Sequence, residues 1–239
     1  RNHPAGSFLT DIAAIFCDKV FCTSRFSYTA KYNKTILMPV GVNTEIFKRD
    51  EKVSKKVNSV LFLARIAPSK HPDLLLSALK ILNTKGTSFA AYIYGDPLPK
   101  DRIYYNSLLQ YVRENGLIDK VFFHRGLPNK ETVEVYNFHE ICVNLSANGM
   151  YDKTIFEAMA CETPVLVSNE NLRGLIDDAL LFKQGDETEL SMKLERILAS
   201  SWEWRIEIGR KLRKVVVKDH SLNELTERLV STMCFETFL

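Results

Sequence analysis

The sequence predicts an α/β fold built on a doubly wound parallel sheet, and three observations predict it. Short apolar runs alternate with segments of helical period along most of the chain. The run at 60–64, Val60-Leu61-Phe62-Leu63-Ala64, is apolar throughout, as a strand covered on both faces must be. Pro72 and Gly116 stand where a helix should start and another should stop. In such sheets a ligand lies at the carboxyl ends of the strands.

The elements follow in order. A helix is expected over 8–16, a strand over 20–23, a short helix over 24–32 and a strand over 35–39 that ends at Pro39. Residues 48–58 are rich in lysine and aspartate and read as a linker, so 1–47 are set apart as a remnant of a preceding domain with its crossover. The main domain is placed at 59–200. After the strand at 60–64, Leu75, Ala78, Leu79 and Leu82 form one buried helix face behind Pro72. The unit then repeats: strand 90–94, helix 103–114, strand 121–124, helix 131–138, strand 141–145, helix 154–161, strand 165–168, strand 179–182 and helix 187–199. The tail, 201–239, carries two more helices. The second opens at Ser221-Leu222-Asn223-Glu224, a candidate reciprocal capping box, and its leucines call for a surface that could be the first segment of the chain.

Composition bounds the function. The 239 residues are 46% apolar, enough for a full core and part of a second. Lysine and arginine number 32 against 29 acidic residues, and the resulting +3 is too small to make nucleic acid the partner. Cys17, Cys22, Cys142, Cys161 and Cys234 show no CxxC spacing and sit in apolar stretches, which suits a reducing, cytoplasmic compartment. No apolar run reaches the ~20 residues of a membrane helix, so any peripheral attachment at the inner membrane surface is assigned to parts outside the chain. The start, Arg1-Asn2-His3-Pro4, has no signal-peptide character and no methionine, and the chain is expected to be a fragment or a processed product.

Two constellations carry chemistry. Arg65 and Lys70 follow the first main strand directly, where two cations would either clamp a diphosphate or stand as solvated surface charges; spacing alone does not decide. The loop Ser146-Ala147-Asn148-Gly149-Met150-Tyr151-Asp152 then leads into an apolar helix. Gly149 permits close backbone approach, and the amides of Lys153, Thr154 and Ile155 would form an anion-binding helix start. Glu157 sits one turn in, among apolar neighbours. It either meets hydroxyl donors such as a ribose diol or turns to water. Asp152 reads equally as an N-cap, and Lys153 as an exposed lysine.

Together these residues resemble the retaining glycosyltransferases of family 4, also called glycosyl transferases group 1. In that family an arginine and a nearby lysine bind the donor diphosphate, matching Arg65 and Lys70. Phe156-Glu157-Ala158-Met159-Ala160-Cys161 with Pro164 matches the "LEAMACGxPV" element, whose glutamate holds the donor ribose. Met38-Pro39-Val40-Gly41-Val42-Asn43 with Phe47 is similar to the "IPNGVDxxxF" crossover, and Gly95, Gly126 and Gly185-Asp186 are also in place. The likeness runs from about residue 17 to 200. Departures accompany it. The first glutamate of the Glu-x7-Glu pair falls on Gly149; Asp152-Lys153, Ala64, Glu162 and Asn171-Leu172 also differ from the common pattern. Whether Asp152 takes over the lost sugar contact stays open.

The resemblance implies a Rossmann-like, GT-B C-terminal domain. It implies transfer of a sugar from a nucleotide diphosphate sugar, with retention and with no required cofactor or metal, to a glycan or lipid-linked acceptor. Arg65, Lys70 and Asp152 would serve the chemistry; Gly95, Leu127, Gly149, Lys153, Thr154 and Glu157 would hold the donor. The alternative is a non-catalytic nucleotide-sugar-binding module whose acceptor domain comes from a separate chain.

Overall fold

In the computed structural model, which describes residues 6–234, the apolar run expected as a buried strand lies at the centre of the main sheet. Ahead of it, helix α1 (Phe8–Ile15) precedes two short parallel strands, β1 (Val20–Cys22) and β2 (Thr35–Leu37). Between them the expected short helix is a single 3₁₀ turn at Tyr28–Lys31.

The main sheet comprises β3 (Lys56–Leu63), β4 (Ala90–Tyr94), β5 (Val121–His124), β6 (His139–Asn144) and β7 (Val165–Val167), all parallel, in the order β5-β4-β3-β6-β7. Helices α2 (Pro72–Thr84), α3 (Arg102–Glu114), α4 (Thr132–Phe138) and α5 (Lys153–Ala160) connect successive strands, and α6 (Glu187–Leu198) and α7 (Trp202–Val215) follow. The chain adds strands to one side of β3 and then returns to add β6 and β7 on the other. With right-handed crossovers this puts helices on both faces. Accordingly α2 packs with α3 and α6, while α5 packs with α4 and α7. Val60, Leu61 and Phe62 of β3 are almost wholly buried, as are Leu75, Leu76, Leu79 and Leu82 of α2. Each such leucine contributes roughly 1.5–3 kcal/mol relative to exposure.

Three expectations are corrected. The segment read as a linker ends earlier, because Lys56, Val57 and Asn58 already belong to β3. They look like linker because Lys56 and Val57 are exposed at this end of the strand, ahead of a register shift between Lys56 and Val60. The rest of that stretch is docked: Arg49 donates to the Asn137 and Val53 carbonyls, and Lys55 donates to the Tyr136 and His139 carbonyls and Thr163 Oγ1. The strand expected at 179–182 is a 3₁₀ turn at Asp178–Leu180, closed by Asp177 capping the Ala179 amide, and only Leu181 bridges to β7. An apolar run made strand-like by its burial was there, but its pairing was not. Lastly, Ser221 Oγ caps the Glu224 amide at 3.2 Å, whereas the Glu224 carboxylate accepts from Arg228 Nε, so one arm of the expected capping box is diverted.

A π-helical turn at Val216–His220 extends α7 and leads to α8 (Leu222–Cys234), which touches the first segment of the chain. The His220 carbonyl accepts from the Gly41 and Val42 amides, the Leu222 amide donates to the Val42 carbonyl, and Lys19 Nζ reaches the Thr232 carbonyl at 2.8 Å. Deleting residues 221–239 is expected to speed amide exchange across 8–39 while the strands of the main sheet stay protected. Unchanged exchange over 8–39 would show that α8 serves only the main sheet's own helices.

Candidate functional site

Strand order reverses between β3 and β6, and a crevice opens at the carboxyl ends of strands placed this way. The segments leaving these two strands carry Arg65 on one side and Ser146 to Asp152 on the other. Arg65, Gly95, Leu127 and Thr154, drawn from four separate segments, line one crevice of about 380 Å³ together with Leu63, Tyr94 and Gly126. Gly95 is required there by space: a Cβ at this position would lie 1.9 Å from the Ala64 carbonyl oxygen. Asp96 Oδ2 accepts from the Gly126 amide at 3.1 Å and so ties two loops of the rim.

Next to Thr154 lies a compact polar network. Lys70 Nζ is 2.6 Å from Asp152 Oδ2 and 3.2 Å from Ser146 Oγ, and Ser146 Oγ itself donates to Asp152 Oδ2 at 2.6 Å. The other carboxylate oxygen of Asp152 accepts from the Thr154 amide and hydroxyl. Burial pushes the Asp152 carboxyl up, but the Lys70 charge and these hydrogen bonds outweigh it and hold the group at about 2. Asp152 is thus ionised across the physiological range. Asp152 caps α5, as one sequence reading had it, and it also grips a cation.

The cap changes the helix start. The Thr154 amide is taken by the Asp152 side chain and the Ile155 amide by the Asp152 carbonyl, so these two expected anion-binding donors are already engaged. Lys153 stands exposed at the same end.

Glu157 does not turn to water. It is buried, with Oε1 accepting from Asn129 Nδ2 at 3.0 Å and Oε2 from the Tyr136 hydroxyl at 3.2 Å. Burial raises its pKa, and the Asn129 bond, the Lys153 charge and the Tyr136 bond pull against that. Each oxygen keeps a second lone pair, so the carboxylate can still accept from a ligand hydroxyl.

Gly149 is not brought into this crevice. It lines a neighbouring opening of about 580 Å³ with Arg25, Phe26, Asn148, Asn171 and Arg173, between the loop after β6 and the segment after β1. The sequence reading also left Asn129 and Tyr136 unnoticed and gave Ser146 no role beyond opening its loop. Ser146 could have been found as the first polar residue after a buried strand. Asn129 and Tyr136 carry no local mark, because their partner lies 28 and 21 residues further along. Among the described residues no group of three or more His, Cys, Asp or Glu side chains could hold a metal, and no helix is long and apolar enough to cross a membrane.

A model of the family described as glycosyl transferases group 1 matches residues 43–215. A D-inositol 3-phosphate glycosyltransferase of Stackebrandtia nassauensis is 26% identical over 190 residues, covering 73% of this chain and 43% of the relative. The chain spans less than half the length of that relative and of its counterpart from Frankia alni, of which 49% is covered. Among solved structures, Anabaena HepE in complex with UDP and glucose superposes with a TM-score of 0.84 at 18% identity, over 94% of this chain and 65% of that one. The C-terminal domain of LpcC, a glycosyl transferase group 1 family protein from Francisella tularensis, gives 0.67 at 21% identity over 76% of this chain and 100% of its own. At such identities these two likenesses speak for the fold alone: a parallel five-stranded α/β domain of the GT-B type.

Proposed function

Since the chain belongs to the glycosyl transferases group 1 family, we propose that it forms the donor-binding part of an enzyme that moves a sugar from a nucleotide diphosphate sugar to a glycan or lipid-linked acceptor, with retention of configuration. One observation supports this most: Arg65, Gly95, Leu127 and Thr154 line a single crevice beside Lys70 and Asp152, where the strand order reverses. In this reading the diphosphate lies between Arg65 and the start of α5, Glu157 accepts from the ribose hydroxyls, and Gly95 and Leu127 border the nucleoside. Gly149 opens toward the sugar, and Lys153 adds positive charge at the mouth. Asp152 holds Lys70 in place until the donor arrives.

The chemistry asks mainly for charge stabilisation. As the glycosidic bond breaks, negative charge gathers on the departing diphosphate. A charge-assisted hydrogen bond is worth roughly 1.5–3 kcal/mol, so Arg65 and Lys70 can lower the barrier to the extent that their bonds tighten in the transition state. Lys70 contributes less than Arg65, since its ammonium must be shared with Asp152. UDP-hexoses are the first donors to try, given the UDP and glucose bound by HepE.

A thermal-shift panel of UDP-, GDP- and ADP-linked sugars tests the proposal. At a ligand concentration about 100 times Kd, binding stabilises by about 2.7 kcal/mol, a shift of several degrees. A panel with no shift for any member would sink the donor reading. The binding residue to test beside it is Glu157: in the wild type, 2′,3′-dideoxy nucleotides should bind more weakly than the ribo forms, and Glu157→Gln should abolish that difference while the fold persists. Calorimetry that finds the difference intact in the variant would take Glu157 away from the ribose. A binding module that needs a separate acceptor-domain chain predicts the same affinities and departs from the enzyme only in turnover.

A further inference from the structure

A second cavity lies at the other end of the sheet. It occupies about 190 Å³ at the amino ends of β3, β6 and β7, where one face of α7, presenting Trp202, Arg205 and Arg210, meets the segment carrying Arg49 and Lys55. None of these residues borders the crevice at the carboxyl ends.

Its charges are unevenly compensated. Glu140 Oε2 receives Arg205 Nη1 at 2.8 Å and the Asn58 amide at 2.7 Å. The bonds of Arg49 and Lys55, by contrast, run to carbonyls, an amide oxygen and a hydroxyl, all neutral acceptors, so the Arg49 charge has no carboxylate partner, while burial and the Arg49 charge push the Lys55 ammonium down to about 7. Arg210 makes no hydrogen bond or ion pair among the described residues. Arg205 Nε is buried and has no partner, and a buried N–H of a cation left in that state is costly. A mere packing gap would be lined by alkyl surface. This one, beside Pro164 and Ile206, is lined by guanidinium groups, a tryptophan ring, the Glu140 carboxylate and two carboxylates outside any ion pair among the described residues, those of Glu51 and Glu162.

We infer that this cavity is a second binding site, for a small phosphate monoester of a sugar or polyol. Arg205 Nε and Arg210 present donors to the phosphate, as guanidinium groups do for tetrahedral oxyanions. Glu51 and Glu162 accept from the ligand's hydroxyls, and Trp202 offers a flat apolar face to its ring. Such a mixed set suits a hydroxylated anion better than bare phosphate, which the two carboxylates would repel. The inference does not depend on the role assigned to the carboxyl-end crevice.

The chain supplies its own reporter, since its 2 tryptophans are Trp202, which lines the cavity, and Trp204. Glucose 6-phosphate titrated into the protein is expected to give a saturable change in tryptophan fluorescence, in the wild type and equally in Arg65→Ala. Arg210→Ala removes an exposed side chain with no internal bond, so the fold should hold, and it should weaken the response roughly 10- to 150-fold. Inorganic phosphate and glucose, as separate arms, should each bind at least about tenfold more weakly than the ester, for loss of one class of contact. No saturable change in the wild type overturns the site. So does a response that survives Arg210→Ala or disappears in Arg65→Ala, which would move the binding elsewhere. Inorganic phosphate or glucose binding as well as the ester overturns the monoester as ligand.

Discussion

Arg65→Ala is expected to weaken binding of a nucleoside diphosphate roughly 10- to 150-fold while leaving the corresponding nucleoside unaffected, because it removes one charge-assisted hydrogen bond worth about 1.5–3 kcal/mol. Arg65 is exposed at the rim of the carboxyl-end crevice, so its loss disturbs no core packing and the effect should be confined to the phosphates. Calorimetry on the pair of ligands checks it. Equal losses for nucleoside and diphosphate would place Arg65 away from the phosphates. Lys70→Ala should weaken the diphosphate as well, since it leaves the Asp152 carboxylate unpaired beside the phosphates.

The largest loss of stability is expected from Arg205→Ala, at about 3–5 kcal/mol. Its partner Glu140 retains only 3% side-chain exposure and Arg205 12%, so the truncation strands a largely buried carboxylate in the wall of the amino-end cavity. The penalty comes from the orphaned charge more than from the lost attraction. Glu140→Gln in the same chain should therefore restore most of the stability, because a neutral amide still accepts from the Asn58 amide and needs no cation. Urea denaturation of the single and double variants measures this directly. A single variant within about 1 kcal/mol of the wild type would mean that the pair behaves as a solvated surface bridge.

Much of this was legible in residue order, for reasons that also mark where legibility stops. The helix face of Leu75, Ala78, Leu79 and Leu82 and the run at 60–64 are local patterns, and local patterns report which residues must leave water. From the resulting β/α alternation follow the parallel sheet and the end at which Arg65 must stand. Partnerships between distant segments leave no such trace. Nothing near Asp152 announces Lys70, 82 positions earlier, and nothing near Glu140 announces Arg205, 65 positions later. Glu157 was legible as a carboxylate on an apolar helix, yet its two donors come from α4 and the loop before it. The apolar run at 179–182 misled because burial alone does not supply a pairing partner. Glu162 teaches the opposite lesson: standing where the family pattern has glycine, it adopts a left-handed φ of 57°, so the turn keeps its glycine-like geometry in spite of the side chain.

The grip of Asp152 on Lys70 also bears on which solutes the crevice ignores. Cells hold a large standing pool of inorganic phosphate and simple esters, all of them attracted to an unguarded lysine. Here the ammonium already has a carboxylate 2.6 Å away, and one arriving phosphate gains little by separating them. In the proposed reading a diphosphate would reach Arg65 with its second group at the same time and so offset that separation. On the donor reading proposed above, the internal pair would work as a threshold on ligand valence and keep the crevice open to a nucleotide diphosphate amid smaller anions.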